Sequence, residues 1–577
     1  MRRLLIYLRK YRFPCILAPL FKMLEAFMDL LVPVFVADII DNGIVTNNIS
    51  YVLLCTCLLI GIALLSLLFS IVAQFFAARA STGFAADLRQ ALFDHIASLS
   101  HGQIEQMGAD TLITRITSDV NQVQTGLNMS LRLLLRSPFI VFGSVVMAFM
   151  IDVKCALIFM VAVPLLFIVV AGIMYITIPL YKKAQNKLDS LTECCRENMT
   201  GVRVIRSFCA EKNSVDQFAE KNDSLTKLNL YIGKISALLN PGTFLLVNIA
   251  TAFVIYCGAI QVGNGILQQG QVVALYSYMG QMIVELVKMS SLVVTINRAC
   301  ACAARTSDIL EEEPDMFYPF ESAVAIGKGE VEFTNVFFAY PDAGAEAVEN
   351  ISFKAHKGEM IGIIGGTGSG KTTLIHLLER YYDVTKGSIS LDGNLIQDYS
   401  EEELVRRIVE VPQKTVLFSG TIRENLLLGN EHASDADLWE ALSIAQAKEV
   451  VASKKGGLNY VLEQNGKNLS GGQRQRLAIA RAVVCHPEIL ILDDAESALD
   501  FVTDKKLRDA ICSLADCTVF LVSQRAGSIQ YADRILVLED GKLVGNGTHR
   551  QLMKDCRVYQ EIYASQFPSS TDKVVRV

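Results

Sequence analysis

Three short stretches hold residues whose types and spacing point to chemistry. In MIGIIGGTGSGKTT an apolar run, Met360 to Ile364, leads into Gly365, Gly366, Thr367, Gly368, Ser369, Gly370, Lys371 and Thr372, matching G-x-x-x-x-G-K-[ST]. Glycines let consecutive backbone N–H groups wrap a phosphate chain, and the helix that follows turns its positive end toward it. Gly365 to Thr373 are therefore expected to hold phosphates, with Lys371 at the β- and γ-phosphates and the Thr372 hydroxyl on Mg²⁺. The second stretch is ILILDDAESALD, residues 489–500. It reads as a buried strand that ends in acid and presents Asp493 to a metal. The third is Leu469, Ser470, Gly471, Gly472 and Gln473, ahead of the helical RQRLAIARAVV. Alone it would be an ordinary glycine turn. Ser470 lies 99 residues after Lys371 and 23 before Asp493, and that spacing removes the ordinary reading.

These stretches need a frame, and bulk composition divides it in two. The chain has 577 residues, 51% hydrophobic and 19% charged, with mean hydropathy +0.36. Soluble domains are more charged than this, so part of the chain is expected in lipid. A net charge of −6 does not support a nucleic-acid partner. The 14 cysteines show no zinc-type spacing and read as structural or incidental. No cleavable signal peptide is evident. A helix needs about 20 residues to cross the hydrocarbon core. Six candidate spans follow: Phe13–Ile40, Tyr51–Ala78, Pro138–Val153, Ala156–Leu180, Ala237–Val262 and Val272–Ile296. The third continues a helical run from Leu112. The basic N-terminus, with Arg2, Arg3, Arg9, Lys10 and Arg12, fits an elbow helix lying on the membrane surface. The loops Asn42–Ser50 and Gly263–Gly270 hold no Lys or Arg, whereas the long connections Arg79–Ser137 and Tyr181–Ser236 are charged. Both termini and both long connections are therefore expected in the cytoplasm. The long connections read as helical extensions of the spans rather than loops. Beyond residue 327 the chain alternates β-rich and helical patterns, the mark of an α/β domain with a mainly parallel sheet. The expected division is a transmembrane domain over 1–310, a linker over 311–327 and a nucleotide-binding domain over 328–577.

Together the motifs and the six spans resemble a half-size exporter of the ABC transporter family: a polytopic α-helical membrane domain fused to an α/β P-loop ABC ATPase domain. LSGGQ is that family's signature. The resemblance implies ATP and Mg²⁺ as cofactors. It implies that Tyr340 stacks on adenine, that Gln413 touches Mg²⁺ and senses the membrane domain, and that Thr372, Gln413 and Asp493 hold the metal. Ser497, Ala498, Leu499 and Asp500 would form the loop between the two sites. Leu469 to Gln473, with Asp500, would complete a second chain's ATP site, because each nucleotide in this family lies between one chain's phosphate loop and the other's signature.

Two positions depart from the family pattern. Asp494 stands where the family has a glutamate that polarises the attacking water. One methylene less retracts the carboxylate by roughly 1 Å, and such a misplacement can cost about 10²-fold in rate. Gln524 stands where the family has a histidine at the γ-phosphate, and it can neither take a proton nor carry positive charge. Each alone is compatible with a tolerated variant. Both together suggest a site that holds ATP and hydrolyses it slowly, as in the degenerate chain of a heterodimeric exporter. The partner would then be a second half-transporter with a competent glutamate and histidine. A homodimer with two slow sites is an alternative, and an ATP-gated channel or regulatory subunit is another. An importer is disfavoured, because importer ATPases are normally separate chains.

Power would pass through the tips of the long connections, expected near Met107–Ile113 and Ser207–Asn213, the second reaching a partner's ATPase domain. Phe208 and Glu211 could equally be ordinary surface packing. Lys22, Glu25 and Asp29 share one helical face of the first span, and Gln281, Glu285 and Lys288 one face of the sixth. They either line a path for a small cationic amphipathic substrate or pair with one another; drug, lipid and peptide all stay open. The lipid bilayer is the expected surrounding, and a bacterial inner membrane the expected location.

Overall fold

The computed structural model describes residues 4–320, 329–341, 343–496, 498–514 and 516–567. Ser497, Arg2, Arg3 and residues 321–327 of the expected linker lie outside them. The chain divides into two compact units, one of Met1–Ser98 with Met107–Glu313, the other of Leu99–Gln106 with Pro314–Val577.

The first unit is built of helices. Among the described residues five are long and apolar enough to cross a membrane: Ile49–Ala97, Ala109–Ile151, Val153–Thr200, Glu211–Gly263 and Gln269–Glu311. Arg12–Asp38, with 27 residues, has the length of a sixth and carries Lys22, Glu25 and Asp29. At about 1.5 Å per residue, Ile49–Ala97 runs about 70 Å, more than twice the ~30 Å hydrocarbon core. The long charged connections are thus continuations of spans. The helical run expected from Leu112 into the third span lies within Ala109–Ile151. It is Ala109–Thr114, a wider π-helical turn Arg115–Asp119, Val120–Leu133 and then Arg136–Ile151. The π turn ends at Asp119, which Arg115 and Arg305 both grip. Between the spans sits an apolar core that includes Leu30, Phe159, Tyr278 and Met282. Tyr278 satisfies its hydroxyl there by donating to the Leu30 carbonyl at 2.6 Å.

The turns of the two connections differ from expectation in one case. The helix Ile49–Ala97 stops before Met107, and a short helix, His101–Met107, follows it. Gly108, at φ +78°, ends that helix. Residues 99–106 belong to the second unit: Tyr382 donates to Glu105 at 2.9 Å, and His101 stacks on Tyr381 with ring centroids 4.6 Å apart. The stretch that belongs to the second unit therefore ends where the expected Met107–Ile113 begins. In the second connection Val202–Ser207 and Glu211–Ser236 meet at a turn around Cys209, at φ +51°, inside the expected Ser207–Asn213.

The second unit has two main sheets. Six strands form the larger one, in the order Lys542–Gly547, Arg534–Glu539, Met360–Gly365, Thr518–Val522, Ile489–Asp493, Ile408–Val411. All its pairings are parallel except the edge pair Arg534–Glu539 with Lys542–Gly547. Met360–Gly365, Ile489–Asp493 and Thr518–Val522 are buried along their whole length, which is why they read as unbroken apolar runs. Separate apolar clusters cover the two faces. A second, antiparallel sheet, in the order Val348–Ala355, Val331–Phe338, Lys386–Leu391, Asn394–Leu395, stands beside it. The alternation of strands and helices did not announce this sheet, because its strands look like any other β-rich run.

Candidate functional site

The site forms where three parallel strands end side by side. Met360–Gly365 leads into the phosphate loop, Ile489–Asp493 ends in the acidic pair, and Thr518–Val522 leads to Gln524. Parallel neighbours put loops at the same sheet edge, the general place for a ligand in open α/β sheets.

The loop backbone requires glycine at Gly368 (φ +79°) and Gly370 (φ +95°). At Gly370 an added Cβ would also meet the Ala347 carbonyl at 2.8 Å. Lys371 is buried and folds back, donating to the carbonyls of Gly365 (3.0 Å) and Gly366 (2.6 Å) and to the Ser369 hydroxyl (3.3 Å). The ammonium thus spans the loop's mouth, where a phosphate would take over its donors. Burial holds the Lys371 pKa below its usual value, against Asp493 and Asp494, which raise it. Thr372, first in line after the lysine, is exposed, while Thr373 is buried. The Thr373 hydroxyl lies 3.1 Å from that of Tyr340, whose ring stands edge-on to Phe338 and Tyr382.

Asp493 closes its strand as a buried carboxylate. Burial pushes its pKa up, Asp494 pushes it further, and Lys371 opposes both. Such an acid gains from a nearby divalent cation, so the oxygen donors of Thr372, Gln413 and Asp493 are chemically suited to Mg²⁺. Asp494 adopts left-handed backbone, φ +46°, anchored by its N–H on the Val522 carbonyl at 2.8 Å. Its Oδ2 accepts a hydrogen bond from Gln413 Nε2 at 3.1 Å. Gln413, Asp493, Asp494 and Lys371 are therefore brought together.

The signature residues are organised separately. Ser470 caps the helix Gly471–Val484 in a reciprocal capping box with Gln473. Gly472 lies so close to the Ala498 carbonyl that a Cβ would meet it at 2.9 Å. Among the described residues, no hydrogen bond joins Leu469–Gln473 to the phosphate loop. Asp500 caps the helix Phe501–Cys512, accepting from the Thr503 N–H at 3.1 Å, and that bond holds its carboxyl below the usual range.

Sequence reading missed two features. Gln566, on the last described helix, clamps the loop at Gln524: its Nε2 donates to the Gln524 carbonyl at 2.7 Å and its Oε1 accepts from the Ala526 N–H at 2.8 Å. Behind Asp493 lies a half-buried acid pair, Glu379 and Glu410. Burial, then Glu410 and Asp493, drive the Glu379 pKa well up; burial, then Asp493, take Glu410 to about 7. Glu410 sits in the strand before Gln413, where an acid among apolar residues, IVEV, was the available signal.

Comparison with known proteins matches residues 15–286 to the family model for the ABC transporter transmembrane region and residues 348–497 to that for the ABC transporter. The chain is 35% identical to the ABC transporter ATP-binding protein YfiB of Bacillus subtilis, over 98% of this chain and 99% of that protein. It is 32% identical to an ATP-dependent lipid A-core flippase of Syntrophus aciditrophicus, over 85% and 81% of the two chains. Identity to YheI of Bacillus subtilis, a probable multidrug resistance ABC transporter, is 33% over 83% and 82%. The fold is similar to a solved bacterial Atm1-family ABC exporter with ATP bound, at TM-score 0.77 and 23% identity, over 97% of this chain and 98% of that one. With a helical membrane domain and an ATPase domain in one polypeptide, the chain belongs to the ABC transporter family, as a half-size chain of the exporter type.

Proposed function

We propose that this chain is one half of an ATP-driven exporter that moves a small amphipathic substrate out of the cytoplasm or inner leaflet. Its own ATP site holds nucleotide and hydrolyses it slowly. Its complete signature, Leu469–Gln473, serves the site of a second half-transporter. Relatives matched over more than four fifths of both chains, a lipid A-core flippase and a probable multidrug transporter, support the exporter class. A bacterial inner membrane with both termini cytoplasmic fits the Lys and Arg placement.

The observation that carries the slow-site reading is Asp494. Its carboxylate is one methylene short for the family role and already accepts Gln413 Nε2 at 3.1 Å. A general base must reach the water it activates within about 2.6–3.2 Å, and Asp494 commits one of its two oxygens to the amide. Gln524 offers a neutral amide where charge would develop, so electrostatic stabilisation of the transition state is weak. Binding elements remain: Lys371 and the loop N–H groups would hold phosphate, Tyr340 would stack on the base, and Thr372, Gln413 and Asp493 would hold Mg²⁺. When bound, that ion neutralises phosphate charge. ATP held here favours the associated state of the two ATPase domains by mass action, while turnover at the partner's site would open and reclose them.

The test is assembly and turnover. The chain is expressed alone and with the half-transporter encoded beside it. Assembly only with the neighbour, and slow turnover at the Asp494 site, support the proposal. A homodimer that hydrolyses ATP briskly at both sites overturns it.

A further inference from the structure

We propose that the membrane domain binds an amphipath whose head carries both a positive and a negative charge. This rests on the exporter reading and names the class of its cargo. The expected choice lay between a path for cations and a set of mutual ion pairs. In the structure the charged residues form a chain of alternating sign. Asp29 accepts from Arg136 at 2.9 Å, Arg136 donates to Glu285 at 2.7 Å, and Lys288 donates to the same Glu285 oxygen at 2.9 Å. Lys22 and Glu25 pair beside it. Three acids meet three bases, so the set as a whole attracts neither sign.

The ends of the chain differ from its middle. The Arg136 and Glu285 side chains are 13% and 5% exposed, whereas Asp29 is 33% and Lys288 43% exposed. Each end lines its own cavity. Asp29 faces one of about 470 Å³, which Arg136 and Glu285 also line, so that its lining holds two acids and one base. Lys288 faces one of about 660 Å³, where it is the single charged residue of the described lining. The cavities share Gly280, Gln281 and Val284 and so adjoin. Their sizes suit a lipid-like head and part of a chain, and Phe244 and Tyr276 in the second offer apolar surface. At the seam, Gln281 Nε2 donates to the Asp29 carbonyl at 3.3 Å, while its Oε1 has no hydrogen-bond partner among the described residues. A buried acceptor without a donor is costly, and a ligand head that donates would satisfy it. A cationic group at Asp29 and an anionic group at Lys288 extend the alternation at both ends. A head of one sign meets repulsion at one of them.

The transporter, purified with any half-transporter that accompanies it, is reconstituted into vesicles with three fluorescent lipids of the same acyl chain. Their heads are phosphocholine, phosphoglycerol and trimethylammonium alone, and ATP-driven movement between leaflets is read with a membrane-impermeant quencher. Phosphocholine lipid is expected to move about tenfold faster than either other, the size of one charged hydrogen bond. Asp29→Asn should shift preference toward the phosphoglycerol lipid and Lys288→Gln toward the cationic one. Opposite shifts cannot arise from misfolding, and Lys288→Gln, at the exposed end, carries the test if Asp29→Asn fails to accumulate. The inference is overturned if a singly charged lipid moves fastest, if both variants shift the same way, or if no lipid moves while MgATP is still hydrolysed. Absence of MgATP hydrolysis by the assembled transporter would overturn the exporter reading instead.

Discussion

Restoring the two altered positions should release hydrolysis at this chain's own site. In Asp494→Glu/Gln524→His the longer carboxylate regains roughly 1 Å of reach, and a misplacement of that size is worth about 10²-fold. In barrier terms this is about 2.7 kcal/mol, at 1.36 kcal/mol per decade. The hydrogen bond from Gln413 to Asp494, 3.1 Å in the native chain, works against the gain. A bond to a charged group is worth about 1.5–3 kcal/mol net, so a glutamate that keeps this bond would show little change. The histidine adds a donor that can be charged, for about another 10²-fold at most. We expect a gain between about tenfold and 10³-fold, set by how completely Gln413 lets go. Total phosphate release would mix in a partner's site. The assay is therefore photolabelling with azido-ATP carrying an α-phosphate label, followed by separation of chains and the ADP-to-ATP ratio on this one. An ADP fraction on this chain equal in native and double variant refutes the reasoning.

Four further outcomes follow from the same geometry. Lys371→Ala should weaken nucleotide photolabelling of this chain more than it lowers total ATPase, whereas near-complete loss of ATPase would favour two equal sites. Gly370→Ala combines a φ of +95° with a Cβ 2.8 Å from the Ala347 carbonyl, so nucleotide affinity should fall by about fivefold to 150-fold, as backbone strain of about 1–3 kcal/mol implies; equilibrium binding measures it. Gln566→Ala removes both amide bonds that hold the Gln524 loop and should shorten ATP retention by about threefold to tenfold, for one or two net hydrogen bonds, while Gln566→Glu keeps only the acceptor side and falls between. Glu410, raised to about 7 when folded, binds more protons in the folded than in the unfolded state between about pH 4.5 and 7. Its contribution to stability therefore falls as pH rises through that window. Without nucleotide, Glu410→Gln should raise the melting temperature more at pH 8 than at pH 5, and an equal shift at both would refute the assignment.

What the sequence displayed was local. The phosphate loop, the acidic strand end and the signature each lie within a dozen residues, and their backbone requirements, such as left-handed glycines before Lys371, show in residue type. The long spans were legible because apolar runs of that length have one solvent. What stayed hidden depends on partners far along the chain. Lys22, Glu25 and Asp29 were visible as a charged face, but the contact of Asp29 with Arg136 crosses 107 positions. Gln566 acts on a loop 42 residues earlier through a side chain that looks like any surface amide. The short helix His101–Met107 was not legible as a separate piece because the helical pattern runs on past Gly108, and the stacking of His101 on Tyr381 and the Tyr382–Glu105 bond mark the unit it belongs to.

The charge chain in the membrane domain also bears on how the polypeptide is made. Lys22 and Glu25 neutralise each other one turn apart, so they can enter the bilayer together. Asp29 has no such companion on its own helix. An isolated aspartate at mid-helix costs about 2.5–3.5 kcal/mol on insertion, and its counter-ion, Arg136, leaves the ribosome 107 residues later. The acid that steadies Arg136 comes another 149 residues behind. Synthesis from the amino end therefore leaves Asp29 without that counter-ion until the helix Arg136–Ile151 is made. A truncation before Arg136 would leave the acid unpaired and expose the first span to membrane quality control.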